Sequence, residues 1–357
     1  MPEAIWISFA FGLGLLVKVV HLPPLVGYLA AGFILSALTA FPGSNISAEP
    51  TEVLGHIAHL GVLLMLFTVG LKLKFKTIIS TEVIGGSLLH FGITCFVFTP
   101  GLYLFLDITW YVAFMLAVAL SFSSTILAAK VLESKRELRA FHGRVAIGIL
   151  VMQDLIALVV MSLAAGKTPS EWALIVFGLP LLRPLLFRLL DASGHDELLV
   201  LLGMLLALVL GGLGFEAVGL SSELGALLFG AVLANHPRSQ ELAKSLWSVK
   251  EIFLVGFFLQ IGIGGLPDMH SVMFALAASL ILPLKGILFF FLMILFRLRA
   301  RSSFLTSLAL TNYSEFGLIV ASIALPQWMV PLAITVAFSF VISAPLNRVA
   351  HSLYERF

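Results

Sequence analysis

A carboxylate in the middle of an apolar run is the residue in this chain best placed to do chemistry. Asp154 sits in GRVAIGILVMQDLIALVVMSLAA (143–165), beside the amide of Gln153. A stretch of that length and character crosses a bilayer. An ionised Asp at mid-bilayer depth costs about 3 kcal/mol or more, so such a residue marks an ion site or a proton relay by default. The plain alternative is an Asp kept neutral or paired for packing alone. Two polar clusters also interrupt apolar runs. Ser121, Ser123, Ser124 and Thr125 lie in WYVAFMLAVALSFSSTILAAKVL, and Thr311, Asn312, Tyr313, Ser314, Glu315 and Gly317 lie in SFLTSLALTNYSEFGLIVASIAL. A lone hydroxyl in a membrane helix usually bonds back to the preceding turn. Clusters at repeat-related positions are better explained as unwound segments that cross, freeing carbonyls and helix ends to coordinate a hard cation and balance charge. Oxygen donors, rather than soft ligands, suit an alkali ion. No His/Cys set has transition-metal spacing.

Other charged residues carry two readings each. Lys285, in SVMFALAASLILPLKGILFFFLMILF, is the basic residue placed inside a span. It either neutralises Asp154 or the C-terminal end of a broken helix, or snorkels toward a span end about eleven residues away, which is long for a lysine stem. The internal role is the expectation. Glu315 is a ligand, a dipole-balancing charge or a protonated donor, and Glu223 is an interfacial residue or a gate. His21, His56, His59, His90 and His142 are placed near span ends or in loops, as interfacial or packing residues.

The elements that position these groups are membrane helices. The 357 residues are 60% hydrophobic and 11% charged, where a soluble domain carries about 25% charged residues. The single cysteine, Cys95, excludes an internal disulfide and reads as a small core residue. The first apolar segment lacks a basic leader and is read as a true span rather than a cleaved signal. Thirteen spans are expected, at roughly 4–20, 23–40, 54–71, 82–106, 109–130, 143–165, 170–190, 196–214, 220–235, 249–265, 271–296, 303–325 and 328–348. Nineteen of the 21 Lys and Arg residues fall in alternate connections or the tail, with Lys167 on the opposite side. By the positive-inside rule the N-terminus is outside and the C-terminus cytoplasmic, in the plasma (inner) membrane. An even count breaks that alternation.

A repeat is also visible. GYLAAGFIL (27–35) matches GALLFGAVL (225–233), and ALSFSS (119–124) matches ALTNYS (309–314), at offsets of 198 and 190 residues. An odd linker helix between six spans and six gives the halves opposite orientation, the inverted-repeat architecture of secondary transporters. The expected organisation is a first repeat over 1–166, a linker over 167–195 and a second repeat over 196–357. The expected core is roughly 82–165 with 271–348.

The chain resembles the membrane domain of Kef-type potassium/proton antiporters, in the monovalent cation:proton antiporter-2 family. The residues that carry the resemblance are GYLAAGFILS (27–36), HLGVLLMLFTVGLKL (59–73), ALSFSSTILAAKVLE (119–133), VMQDLIAL (151–158), LSSELGALLFGAVLAN (220–235), FFLQIGIG (257–264), LPLKGILF (282–289) and TNYSEFGL (311–318). Order and spacing, rather than any one motif, make the match specific across nearly all of the chain. The resemblance implies a sodium/proton antiporter-like elevator, with a mobile core of spans four to six and eleven to thirteen and a dimerisation domain built from the rest, hence a homodimer. It implies that Gln153 and Asp154 hold the cation. Ser123, Ser124 and Thr125 then fall on the first crossover, Asn312, Ser314 and Glu315 on the second, and Lys285 on the family's core lysine. Kef proteins normally continue into a cytoplasmic nucleotide-binding regulatory domain, expected to be missing after Phe357. The segment from Arg238 to Lys250 has three bases and only one acid near its start, so the family's acidic regulatory loop and its glutathione-linked gating are not carried over.

The expectation is proton-coupled antiport of a monovalent cation, potassium ahead of sodium, with proton and cation competing for Asp154. Only a neutralised carboxylate crosses the barrier cheaply, which enforces coupling. One carboxylate in the pair makes one-for-one, electroneutral exchange the simpler ratio. No cofactor beyond the transported ions and no nucleic acid are expected; the expected partners are the lipid bilayer, a second copy and a cytoplasmic nucleotide-binding regulatory domain missing from this chain. The rivals are a sodium/proton antiporter, an uncoupled potassium efflux channel of the same fold, an intramembrane hydrolase and a structural or sensory subunit. No GxSxG or HExxH motif supports the hydrolase.

Overall fold

The computed structural model describes residues 2–20, 22–39, 52–72, 80–134, 136–137, 140–164, 178–179 and 181–354. His21, Lys74, Lys76, Lys135, Arg139, Lys167 and Arg356, and most of the expected seventh span (170–177 and 180), lie outside them.

The described regular elements are helical. In chain order they are α1 (Pro2–Val19), α2 (Pro24–Thr39), α3 (Glu52–Leu71), α4 (Thr81–Leu106), α5 (Trp110–Ser121), α6 (Thr125–Ser134), α7 (Phe141–Ala164) and α8 (Arg183–Ala192). There follow α9 (Glu197–Ala217), which carries a π-helical stretch over Leu205–Leu213, then α10 (Ser222–Leu233), α11 (Ser239–Ser245) and α12 (Trp247–Ile263). The last are α13 (Met269–Leu295), α14 (Ala300–Leu310), α15 (Glu315–Ala324) and α16 (Met329–Tyr354). Among the described residues six helices are long and apolar enough to cross a membrane, or seven if the bent pair α11–α12 is one span, and five more are shorter apolar helices. Hydrocarbon offers no partner for backbone polar groups, so an apolar chain of this kind spans as helices.

The chain divides into two compact units. The first comprises residues 1–47, 75–157 and 261–357, and the second 48–74 and 158–260. In the first, a core of Val83, Ile149, Leu150, Phe289, Met293, Ala309 and Leu310 joins α4, α7, α13 and α14. In the second, α3 and α10 meet at glycines: a Cβ on Gly70 would stand 2.9 Å from the Cα of Gly230. Small residues of this kind let membrane helices approach to backbone contact.

Two expectations are corrected here. The tenth span is preceded by a helix rather than a loop, and α11 and α12 meet at a bend of 49°. Leu242 and Leu246 are fully buried, with their side chains against Gly203 of α9, so α11 lies down on an apolar face that its sequence offers only at every fourth residue. His90 is the second correction. It is the tenth residue of α4 and is buried completely, not at a span end.

The second unit also ties α8 to α11 through Arg238. Its Nε donates to Glu241 Oε2 at 2.9 Å and an Nη donates to Leu190 O at 2.7 Å, with a further bond to Gly194 O. His195 meets the other oxygen of Glu241. The Arg238 hydrogen bond, joined by that from His195, pulls the Glu241 carboxyl down to about 2.

Candidate functional site

Both polar clusters interrupt helices. Residues 122–124 are non-helical between α5 and α6, and residues 311–314 between α14 and α15. Each break frees backbone groups that a bilayer cannot satisfy, and the two breaks satisfy each other. Asn312 Oδ1 accepts from Ser124 N at 2.6 Å, and Ser123 Oγ donates to Leu310 O at 2.8 Å. Gln153 of α7 reaches in, its Oε1 accepting from Ser123 N at 2.9 Å. Ser124 Oγ accepts from Leu127 N at the start of α6, and Ser314 Oγ accepts from Phe316 N at the start of α15. α15 can lie this close to α5 because Gly317 has no side chain: a Cβ there would stand 2.5 Å from Ala119 O.

Lys285 fastens the opposite ends. Its Nζ donates to Phe122 O at 2.6 Å, Asn312 O at 2.8 Å and Leu120 O at 3.2 Å, and it lies 4.9 Å from the centre of the Tyr313 ring. The side chain therefore turns inward, 6% exposed, instead of running to a span end. The carbonyls it holds lie at the C-terminal ends of α5 and α14, where the helix dipole is negative.

The N-terminal ends carry the acids. Asp154 is 2% exposed, and its Oδ2 accepts from Thr125 Oγ1, the first residue of α6, at 3.4 Å. Glu315 is 3% exposed in the first turn of α15, capped by Ser314. An anion is favoured at each of these positive helix ends. The site thus alternates sign, with a lysine on two carbonyl ends and a carboxylate at each amide end.

The candidates separate into two kinds. Asp154 and Thr125 present oxygens to one another and could hold a hard cation or a proton there. Gln153, Ser123, Ser124, Asn312 and Ser314 use polar atoms to tie the breaks, and Asn312 also donates from Nδ2 to Ala309 O at 2.9 Å. Two contributors were not foreseen from the sequence: Ser343 Oγ donates to Thr311 O at 2.5 Å, and Ser339 Oγ accepts from Tyr313 N at 3.1 Å. The Tyr313 hydroxyl, from the expected cluster, donates to Ala278 O at 2.8 Å. The signal for the serines was present: two hydroxyls four residues apart share one face of an otherwise apolar helix. Among the described residues no group of three or more His, Cys, Asp or Glu side chains could hold a metal ion. A cavity of about 950 Å³ between the C-terminal half of α4 and the N-terminal half of α13 is lined mainly by apolar groups such as Phe98, Leu102 and Phe274.

Residues 6–348 match the family model described as "Sodium/hydrogen exchanger, transmembrane". YbaL of Escherichia coli (strain K12), classed by name with the cation/proton antiporters, is 27% identical over 98% of this chain and 67% of its own length. The glutathione-regulated potassium-efflux system protein KefC of Klebsiella pneumoniae (strain 342) is 32% identical over 66% of this chain, an alignment spanning 40% of KefC. The solved structure of the sodium proton antiporter MjNhaP1 from Methanocaldococcus jannaschii at pH 8 superposes with a TM-score of 0.66. It covers 99% of this chain and 98% of that one at 14% identity, a likeness of fold.

Proposed function

The chain is an integral membrane protein of the sodium/hydrogen exchanger family, and from that premise we propose that it exchanges potassium for protons, with both ions competing for Asp154. The observation that carries this is the buried carboxylate of Asp154, 2% exposed and facing Thr125 at the junction of two interlocked helix breaks. Carrying a bare carboxylate through hydrocarbon costs about 3 kcal/mol or more. A proton or a monovalent cation removes that cost, so the carrier crosses loaded with one or the other. One acid at the exchange point gives one ion for one proton, an electroneutral cycle. Lys285 and Glu315 remain charge balancers at the helix ends.

Potassium is placed ahead of sodium because KefC, a relative at 32% identity, is named for potassium efflux. The alternating step we propose is an elevator, in thirteen spans built as two six-helix inverted repeats about a linker helix. The N-terminus lies outside and the C-terminus in the cytoplasm, as the alternation of basic residues supports. The working form we propose is a homodimer.

The test is cation-induced pH change in proteoliposomes, with potassium and sodium compared in wild type and Asp154→Asn. Proton movement driven by potassium and abolished in Asp154→Asn is the expected result. Exchange that persists in Asp154→Asn overturns the assignment of the site. Cation flux without proton movement makes the protein a channel, and a response to sodium alone overturns the choice of potassium.

A further inference from the structure

His90 is a buried titratable group that this exchange leaves unused. Its ring is 0% exposed and stacks on Phe289 of α13, with centroids 3.7 Å apart and planes 5° apart. Among the described residues neither Nδ1 nor Nε2 has a hydrogen-bond partner, and both are closed off from solvent. A neutral imidazole carries one N–H donor and one acceptor nitrogen. Leaving them unmet costs about 1–3 kcal/mol each. Packing does not account for that cost, since a phenylalanine would make the same stack with no orphaned atom. Costly polar groups inside a membrane protein are kept where they do work. Nothing in this arrangement uses the nitrogens, so their use belongs to another state of the protein.

The surroundings say which change of state matters. Lys285 lies four residues before Phe289, one turn along the same face of α13 that stacks on the ring. The helices packed against α4 carry other titratable groups. On α7 these are His142 and Arg144 in the first turn and Asp154 further along; on α5 there is exposed Tyr111; on α13 there is exposed His270 at the start. Arg297 follows the end of α13, and Glu82 sits in the first turn of α4 itself. Of these groups Lys285 is the one set a single helical turn from the residue that stacks on the ring. A proton on His90 would set two cations side by side in dry protein.

We infer that His90 is a second proton-binding group of this carrier, charged only when the Lys285 ammonium has left the carbonyls of Leu120, Phe122 and Asn312. The inference rests on the proton-coupled exchange proposed above. The proton comes from water reaching the opened core and binds the lone pair of the ring nitrogen. It returns to water when Lys285 comes back. Because Lys285 holds both breaks, a charged His90 keeps them unfastened, and acid slows transport through His90 in addition to competition at Asp154. The acid limb of the rate profile therefore depends on two protons.

The test measures exchange rate against pH in proteoliposomes for wild type, His90→Phe and His90→Gln. The phenylalanine keeps the stack and removes both nitrogens; the glutamine keeps hydrogen-bonding capacity and cannot take the proton. Both variants are expected to run at the wild-type rate on the alkaline side. Their acid limb should drop from a two-proton to a one-proton slope and move to lower pH. A wild-type acid limb with a one-proton slope overturns the inference, whatever the variants do. So does a folded variant that keeps the wild-type slope and midpoint. If His90→Phe does not fold, His90→Gln makes the same comparison. A wild type that moves no protons fails the exchange reading itself, and that outcome is distinct from an unchanged profile.

Discussion

Asn312→Ala tests whether the two breaks hold each other. The side chain is 0% exposed and makes two bonds, accepting from Ser124 N at 2.6 Å and donating to Ala309 O at 2.9 Å. Truncation leaves a backbone N–H and a carbonyl unmet in a dry interior. At about 1–3 kcal/mol each, the full cost is about 2–6 kcal/mol. Hydrogen bonds between membrane helices often measure nearer 0.6 kcal/mol, because the chain finds other partners. Ser124 has little room to do so: its N–H lies in a non-helical segment, and the carbonyls of Leu120 and Phe122 behind it are already held by Lys285. The expected loss is therefore about 2–4 kcal/mol. Ser279→Ala is the matched control, also a buried polar truncation. Its hydroxyl only donates to Ala275 O one turn back, at 2.7 Å, a carbonyl that the helix ladder already serves. It should cost under about 1 kcal/mol. Denaturant unfolding in mixed micelles, followed for wild type and both variants, measures the difference. Equal midpoints for the two variants refute the idea that Asn312 ties the breaks.

Two further outcomes follow from the packing and the charges. Gly317→Ala puts a methyl 2.5 Å from Ala119 O. Backbone cannot step aside as a side chain does, so α15 must shift from α5, with a cost of about 1–3 kcal/mol and a fall in exchange rate in proteoliposomes; wild-type stability and rate would show that the helices do not meet there. The Arg238 knot predicts a pH dependence at the other unit. Bonding to Arg238 lowers the Glu241 carboxyl from 4.5 to about 2 in the folded protein. The unfolded chain therefore binds that proton first, so the stabilisation is complete above about pH 4.5 and fades as pH falls toward 2. Arg238→Ala should flatten stability against pH across that window, measured by unfolding at fixed steps of pH. An unchanged slope rules out the pairing.

Much of the site was legible because the bilayer makes polar residues conspicuous. Asp154 stands out in an apolar run, and Ser123, Ser124, Asn312 and Ser314 stand out at related places in two others. Hydrocarbon tolerates such groups only with partners, so the sequence alone required broken helices there, and the helices do break at 122–124 and 311–314. What each polar atom is bonded to was not legible. Gln153 reads as a companion of Asp154, yet its oxygen is on Ser123 N, and the hydroxyls of Ser339 and Ser343 reach a break about thirty residues away in sequence. His90 was placed near a span end although the expected span 82–106 already makes it the ninth residue; what was not legible is what its ring faces, Phe289 of α13. Composition and spacing determined a helical membrane carrier with a carboxylate at its centre. Tertiary structure decided which oxygen faces Asp154, which groups tie one break to its neighbours and which charge closes each helix end, because the pairings between helices join residues 26 to 188 positions apart.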